Sequence, residues 1–142
     1  MKKETLKRIF DFLENKENKK NIKKGTLMWK LFFNEPLTKD DLIVKGDLDL
    51  SYSKITSLPE GLEVGGSLDL SNCTSLTSLP KGLKVGKNLD LENCKSLTSL
   101  PEGLEVGKNL YFENTPLEQF LDSVLLNMIG SDGYIKGNIS RL

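Results

Sequence analysis

The chain repeats itself. Residues 68–88 read LDLSNCTSLTSLPKGLKVGKN, and residues 89–109 read LDLENCKSLTSLPEGLEVGKN. They differ only at Ser71/Glu92, Thr74/Lys95, Lys81/Glu102 and Lys84/Glu105, so 17 of 21 positions are identical. A third copy, LDLSYSKITSLPEGLEVGGS over 48–67, is one residue shorter. A period of 20–21 residues predicts a solenoid, because so short a unit buries its apolar face only against its neighbours. An architecture of stacked coils offers a broad surface and no shaped cleft, which favours binding over catalysis.

The register extends past the three obvious copies. Leu42, Val44 and Gly46 stand where Leu62, Val64 and Gly66 stand one coil later. Leu110, Phe112, Thr115, Leu117 and Phe120 continue the apolar pattern of 89–100 in a modified coil. Ile135-Lys136-Gly137-Asn138-Ile139 then echoes Val106-Gly107-Lys108-Asn109-Leu110. About five parallel strands follow from this spacing. Glu118–Ile129 reads as a helix, stopped by Gly130-Ser131-Asp132-Gly133. Upstream, Leu6, Ile9, Phe10 and Leu13 fall at helical spacing, and residues 27–33 hold a dense apolar cluster suited to cover the first coil. The expected organisation is a helical N-terminal cap over 1–36, repeats over 37–117, and a C-terminal cap of helix plus final strand over 118–142.

Inside a coil each residue type has a task. Leu68 and Leu70 face inward from a short strand, and the residues between and around them face out. Cys73 and Cys94 fall where a small hydrogen-bonding group must satisfy the backbone as the chain turns, a place taken by Ser53 and Thr115 in flanking coils. Pro80-Lys81-Gly82 breaks any helix, so the opposite side of the coil is expected to be irregular.

This spacing resembles the leucine-rich repeat family. The LPxGL segment at 58–62, 79–83 and 100–104 is similar to the short bacterial form of that repeat. The resemblance covers residues 37–117. It implies an α/β solenoid with a short parallel β-sheet on a concave face that binds proteins, and an irregular convex side. The LPEGLEVGGSLDL wording and the terminal GYIKGNI also look like repeat proteins encoded by phages and prophages.

The outward rows of the sheet carry the chemistry. The first is Asp47, Ser67, Asn88, Asn109; the second is Asp49, Asp69, Asp90, Tyr111; the third is Ser51, Ser71, Glu92, Glu113. Strands lie ~4.8 Å apart, so stacked carboxylates in the second row repel by about 0.9 kcal/mol per adjacent pair in water. Three readings fit such a row: solubility and edge protection, a face for a cationic protein partner, or a cation site. A flat ladder converges poorly on a metal that wants six to eight oxygens, and no metal or cofactor is expected. The chain has no His and only two Cys, which removes His-based triads and most zinc sites. An enzyme is therefore not expected.

Charge is unevenly spread. Twenty Lys/Arg balance twenty Asp/Glu overall, but residues 1–45 hold 12 against 7 and residues 46–142 hold 8 against 13. Lys16, Lys19, Lys20, Lys23 and Lys24 form a basic run. It reads as a solvated segment, with nucleic-acid contact as the functional alternative. Without Arg or interleaved aromatics it is unsuited to reading a base sequence.

No apolar stretch is long enough to span a bilayer, and the start lacks the continuous apolar core of a secretion signal. The expected protein is a monomer in the cytoplasm of a bacterial host. It would bind a protein with a basic surface through Asp47, Asp49, Asp69, Asp90, Glu92, Tyr111 and Glu113. The phage-like wording narrows this to an inhibitor of a host defence system, an anti-CRISPR protein lying in the basic channel of a nucleoprotein nuclease. The alternative is a structural or adhesin-like repeat module.

Overall fold

A computed structural model describes Leu27, Lys30, Leu31 and residues 35–140. From Ile43 onward the chain winds through ten strands of two residues each. Five of them, β1(Ile43–Val44), β3(Glu63–Val64), β5(Lys84–Val85), β7(Glu105–Val106) and β9(Tyr134–Ile135), form one parallel sheet in that order. The other five, β2(Leu48–Asp49), β4(Leu68–Asp69), β6(Leu89–Asp90), β8(Leu110–Tyr111) and β10(Ile139–Ser140), form a second. Each coil gives one strand to each sheet, so the architecture is a parallel β-solenoid.

Strict register follows from the repeat. Leu48, Leu68, Leu89, Leu110 and Ile139 stack in one inward row. Val44, Val64, Val85, Val106 and Ile135 stack in the other. We name the two sheets leucine and valine after these rows. Leu68, Leu89 and Leu110 have no exposed surface, and burying a leucine is worth about 2 kcal/mol. Each does so only because a coil lies on either side, which makes the stack cooperative.

Two expectations need correcting. The designation α/β does not hold: among the described residues two parallel β-sheets dominate and helix is scarce, while the side around Pro80-Lys81-Gly82 is irregular. The C-terminal segment is not a helical cap either. Tyr134–Ile135 pairs with Glu105–Val106, and Ile139–Ser140 pairs with Leu110–Tyr111, so the segment is one more coil. Its helix α1(Asp122–Ile129) lies in the connection between strands, burying Leu125 and Ile129. The helix begins later than expected because Pro116–Gln119 forms a 3₁₀ turn capped by the Thr115 side chain. Phe120 and Leu121 are then extended before the α-helix starts.

The helical N-terminal cap expected over 1–36 lies largely outside the described residues. Leu27, Lys30 and Leu31 are in helical conformation, and Leu27 is buried in the core. Lys30 Nζ meets Asp41 Oδ2 at 2.7 Å, and the Thr38 amide donates to the same oxygen at 2.7 Å. The Lys30 bond, then the Thr38 amide, holds the Asp41 carboxyl below its ordinary range. The stability this tie adds is present above the unfolded pKa and is lost as pH falls through the lower folded one.

The inner turns use the small polar residues. Cys73 Sγ donates to Leu50 O at 3.1 Å and Cys94 Sγ to Leu70 O at 3.0 Å, each reaching back to the preceding coil. Thr115 Oγ1 donates to Phe112 O at 2.7 Å. Both cysteines are outside any disulfide and buried. Burial, with the neighbouring Cys73 second, pushes the Cys94 thiol up to about 12, so it stays protonated and inert. Thiol labelling at pH 8 is expected to proceed only as fast as the protein unfolds, and rapid labelling of the native protein would contradict this packing.

Candidate interaction surface on the leucine sheet

The leucine sheet turns its second row outward in the order Asp49, Asp69, Asp90, Tyr111, Ser140. With the flanking rows it brings Asp47, Asp49, Asp69, Asp90, Glu92, Tyr111 and Glu113 onto one face, as the spacing predicted. No Lys or Arg stands in the described part of these three rows.

Hydrogen bonds divide the face into parts that serve the fold and parts that do not. In the first row each side chain accepts the backbone N–H of the next coil: Ser67 N to Asp47 Oδ1 at 2.7 Å, Asn88 N to Ser67 Oγ at 3.2 Å, Asn109 N to Asn88 Oδ1 at 3.0 Å, Asn138 N to Asn109 Oδ1 at 2.8 Å. Any short acceptor meets that need, so the charge of Asp47 is not what its place requires. The steps are 20, 21, 21 and 29 residues, the last lengthened by α1.

In the second row each aspartate folds back on its own coil. Asp49 Oδ1 accepts the Ser51 amide at 2.9 Å and the Ser51 hydroxyl at 2.6 Å. Asp69 Oδ1 accepts the same pair from Ser71 at 2.9 and 2.6 Å. Asp90 Oδ1 accepts the Glu92 amide at 3.0 Å. These bonds fix the carboxylates, so they cannot splay to relieve their repulsion. Tyr111 is held in turn, its hydroxyl accepting from Asn109 Nδ2 at 3.0 Å. Glu92 and Glu113 make no side-chain hydrogen bond or ion pair among the described residues.

Asp90 registers the strain. Desolvation raises its pKa most, and the charges of Glu92 and Asp69 add to the rise, against the lowering bond from the Glu92 amide. A carboxyl whose folded pKa lies above its unfolded value destabilises the fold when ionised. That penalty is present at neutral pH and fades as pH falls through the folded pKa. Asp90→Asn keeps an Oδ1 acceptor for Glu92 and removes the charge. Its unfolding free energy is expected to exceed wild type at pH 7, with the gain vanishing by pH 3. A denaturant series across that range checks the sign.

The valine sheet behaves differently. Its outward row is Ile43, Glu63, Lys84, Glu105, Tyr134. Lys84 Nζ lies 3.1 Å from Glu63 Oε1, and this hydrogen bond, with the charges of Glu63 and Glu105, raises its pKa. The Tyr134 hydroxyl bonds to Glu105, and Lys136 Nζ sits 5.3 Å from the Tyr134 ring centre. A shallow groove of about 310 Å³ crosses this row, and Glu63, Lys84 and Glu105 in its lining serve one another. Sequence reasoning missed this row, although the Glu-Lys-Glu alternation at 63, 84 and 105 was there to read.

Among the described residues no cluster of His, Cys, Asp or Glu converges to hold a metal, and no helix is long and apolar enough to cross a membrane. The basic run Lys16, Lys19, Lys20, Lys23 and Lys24 lies outside the described residues. No family model, curated protein or solved structure matches this chain.

Proposed function

We propose that the chain is a non-enzymatic protein-binding module, a leucine-rich-repeat-like solenoid whose leucine-sheet face binds a protein with a basic surface. The contrast between the two sheets carries this reading. On the valine sheet the outward row alternates in sign, and Lys84 pairs with the glutamate beside it. On the leucine sheet Asp47, Asp49, Asp69, Asp90, Glu92 and Glu113 face outward with no cation in their rows. The same fold sets a lysine among the carboxylates of one outward row and none among those of the other. Fixed carboxylates at strand spacing form a rigid negative strip, and a cationic partner would relieve its repulsion.

In its narrower form the partner is a nucleoprotein nuclease and the chain a phage-encoded, anti-CRISPR-type inhibitor acting inside a bacterial cell. The phage-like wording and a strip that could replace nucleic acid in a basic channel support this form. The rival reading, a structural spacer, draws on the bonds each aspartate makes within its own coil. Purification of the partner from source cells, followed by affinity measurement on Asp49→Asn/Asp69→Asn/Asp90→Asn, separates them. A spacer has no partner whose affinity depends on those three charges.

A further inference from the structure

Each coil turns a corner two residues wide between its valine strand and its leucine strand. The corners at 45–46, 65–66, 86–87, 107–108 and 136–137 read Lys-Gly, Gly-Gly, Gly-Lys, Gly-Lys and Lys-Gly. They stack in register. Gly66 N donates to Gly46 O at 3.0 Å, Lys87 N to Gly66 O at 3.0 Å, Lys108 N to Lys87 O at 3.0 Å and Gly137 N to Lys108 O at 2.7 Å. Packing accounts for the glycines, because a Cβ on Gly65, Gly86, Gly107 or Gly137 would overlap a backbone oxygen of the coil before it. It does not account for the lysines, since Gly66 fills the place of Lys87 with no side chain at all. Yet every side chain the corners carry is a lysine: Lys45, Lys87, Lys108 and Lys136.

All four are exposed. Among the described residues none gives its ammonium to a carboxylate, and Lys136 rests over the Tyr134 ring, 5.3 Å from its centre. The carboxylates of the adjoining valine row are engaged by other groups, Glu63 by Lys84 and Glu105 by the Tyr134 hydroxyl. On the other flank Asn88 and Asn109 are uncharged, and each spends its Oδ1 on the backbone of the next coil. Lys87, Lys108 and Lys136 thus stand on three consecutive coils, stepped by about 4.8 Å, as like charges that repel along the stack.

We propose that this lysine corner binds the phosphate backbone of a single-stranded nucleic acid running along the solenoid axis. An ammonium is a compact point charge with rotatable donors, suited to phosphate and blind to base identity. The glycines between the lysines leave a low floor on which a strand lies close, and a flexible single strand adjusts its phosphates to the stack. With no arginine in the corner, binding without sequence preference is the expected class. The inference goes beyond the protein-binding reading of the leucine sheet and does not depend on it.

The test uses the full chain with a fluorescent oligothymidylate, read by anisotropy across a salt series beside unfolding midpoints. Lys87→Gln/Lys108→Gln/Lys136→Gln is expected to bind about 10-fold more weakly at low salt, with the slope of log affinity against log salt shallower by about 2. Its midpoint should be no lower than that of wild type, because no partner within the fold is lost. Lys39→Gln/Lys81→Gln/Lys95→Gln makes the same change in net charge away from the corner and should bind nearly as wild type does. Equal weakening in both variants overturns the site and leaves only an effect of total charge. Wild-type affinity in the corner variant refutes the proposal outright, and a lowered midpoint shows that the lysines serve the fold. A polyglutamate of matched charge that binds as tightly, and loses as much in the corner variant, replaces the nucleic acid with an acidic protein segment and overturns the assignment.

Discussion

Gly86→Ala and Gly107→Ala are each expected to abolish the cooperative unfolding transition. Both glycines sit at the corner where the chain leaves the valine sheet and turns toward the leucine sheet. A Cβ on Gly86 would overlap the carbonyl oxygen of Gly65, and one on Gly107 would overlap that of Gly86. The obstructing atoms are backbone, and their coils are fixed by ladder bonds: Gly86 N donates to Val64 O at 2.7 Å and Gly107 N to Val85 O at 2.8 Å. Nothing flexible can give way. Relief requires separating adjacent coils, which opens both sheets at once and exposes leucines on each side of the break. The loss should exceed about 4 kcal/mol, beyond the range of ordinary single substitutions. Two other glycines calibrate it. Gly82 is left-handed at φ 69° with open space around its Cβ, so Gly82→Ala should cost about 1 kcal/mol. Gly46 has nothing within 4 Å and should accept alanine within roughly 0.5 kcal/mol. Far-UV circular dichroism and denaturant melts of the four variants give the ranking directly.

The second large effect concerns binding. Asp49→Asn/Asp69→Asn/Asp90→Asn removes three of the six outward carboxylates of the leucine-sheet face and leaves each Oδ1 in place. Partner affinity is expected to fall by 100-fold or more, as about 1–2 kcal/mol is lost for each desolvated charge that faced a cation. Asparagine is the informative replacement because Ser51, Ser71 and Glu92 keep acceptors for their amides. Lysine would remove those acceptors too, confusing loss of binding with loss of a turn. Affinity measured at two salt concentrations separates contact from steering. A rim charge acts mainly on the association rate and fades with salt, whereas a buried pair acts on dissociation.

Much of the interior was legible because a repeat exposes its own rules. Positions that stay leucine in every copy must face inward, and the structure stacks Leu48, Leu68, Leu89 and Leu110 accordingly. Even the last coil was readable, since the echo of Val106–Leu110 in Ile135–Ile139 matches the observed register. The second sheet was not. Its Leu62-Glu63-Val64, Leu83-Lys84-Val85 and Leu104-Glu105-Val106 alternate as Leu68-Asp69-Leu70 does, but the glycines on both sides of each read as turns and conceal the strand. Its pairing arises from stacking between coils, which local sequence does not display. The start of α1 was misjudged because Pro116 and the Thr115 cap favour a 3₁₀ turn that the apolar spacing of Glu118–Ile129 conceals. On the binding face, spacing showed which side chains point outward but not what holds them. The bonds from Ser51, Ser71 and Glu92 to the aspartates depend on where the strand ends. The asparagine row was visible as Asn72, Asn93 and Asn114, but its left-handed backbone, shared by Tyr52, was not.

The fold does not need the negative charge of the leucine sheet. The unfolding free energy of Asp49→Asn/Asp69→Asn/Asp90→Asn, measured against wild type at pH 7 and low salt, tests it without any partner. The variant is expected to be at least as stable as wild type, with any gain shrinking as salt screens the repulsion it removed. A loss of about 2 kcal/mol or more, the scale of broken charge-assisted hydrogen bonds, would show that the aspartates serve the coil and would contradict the claim.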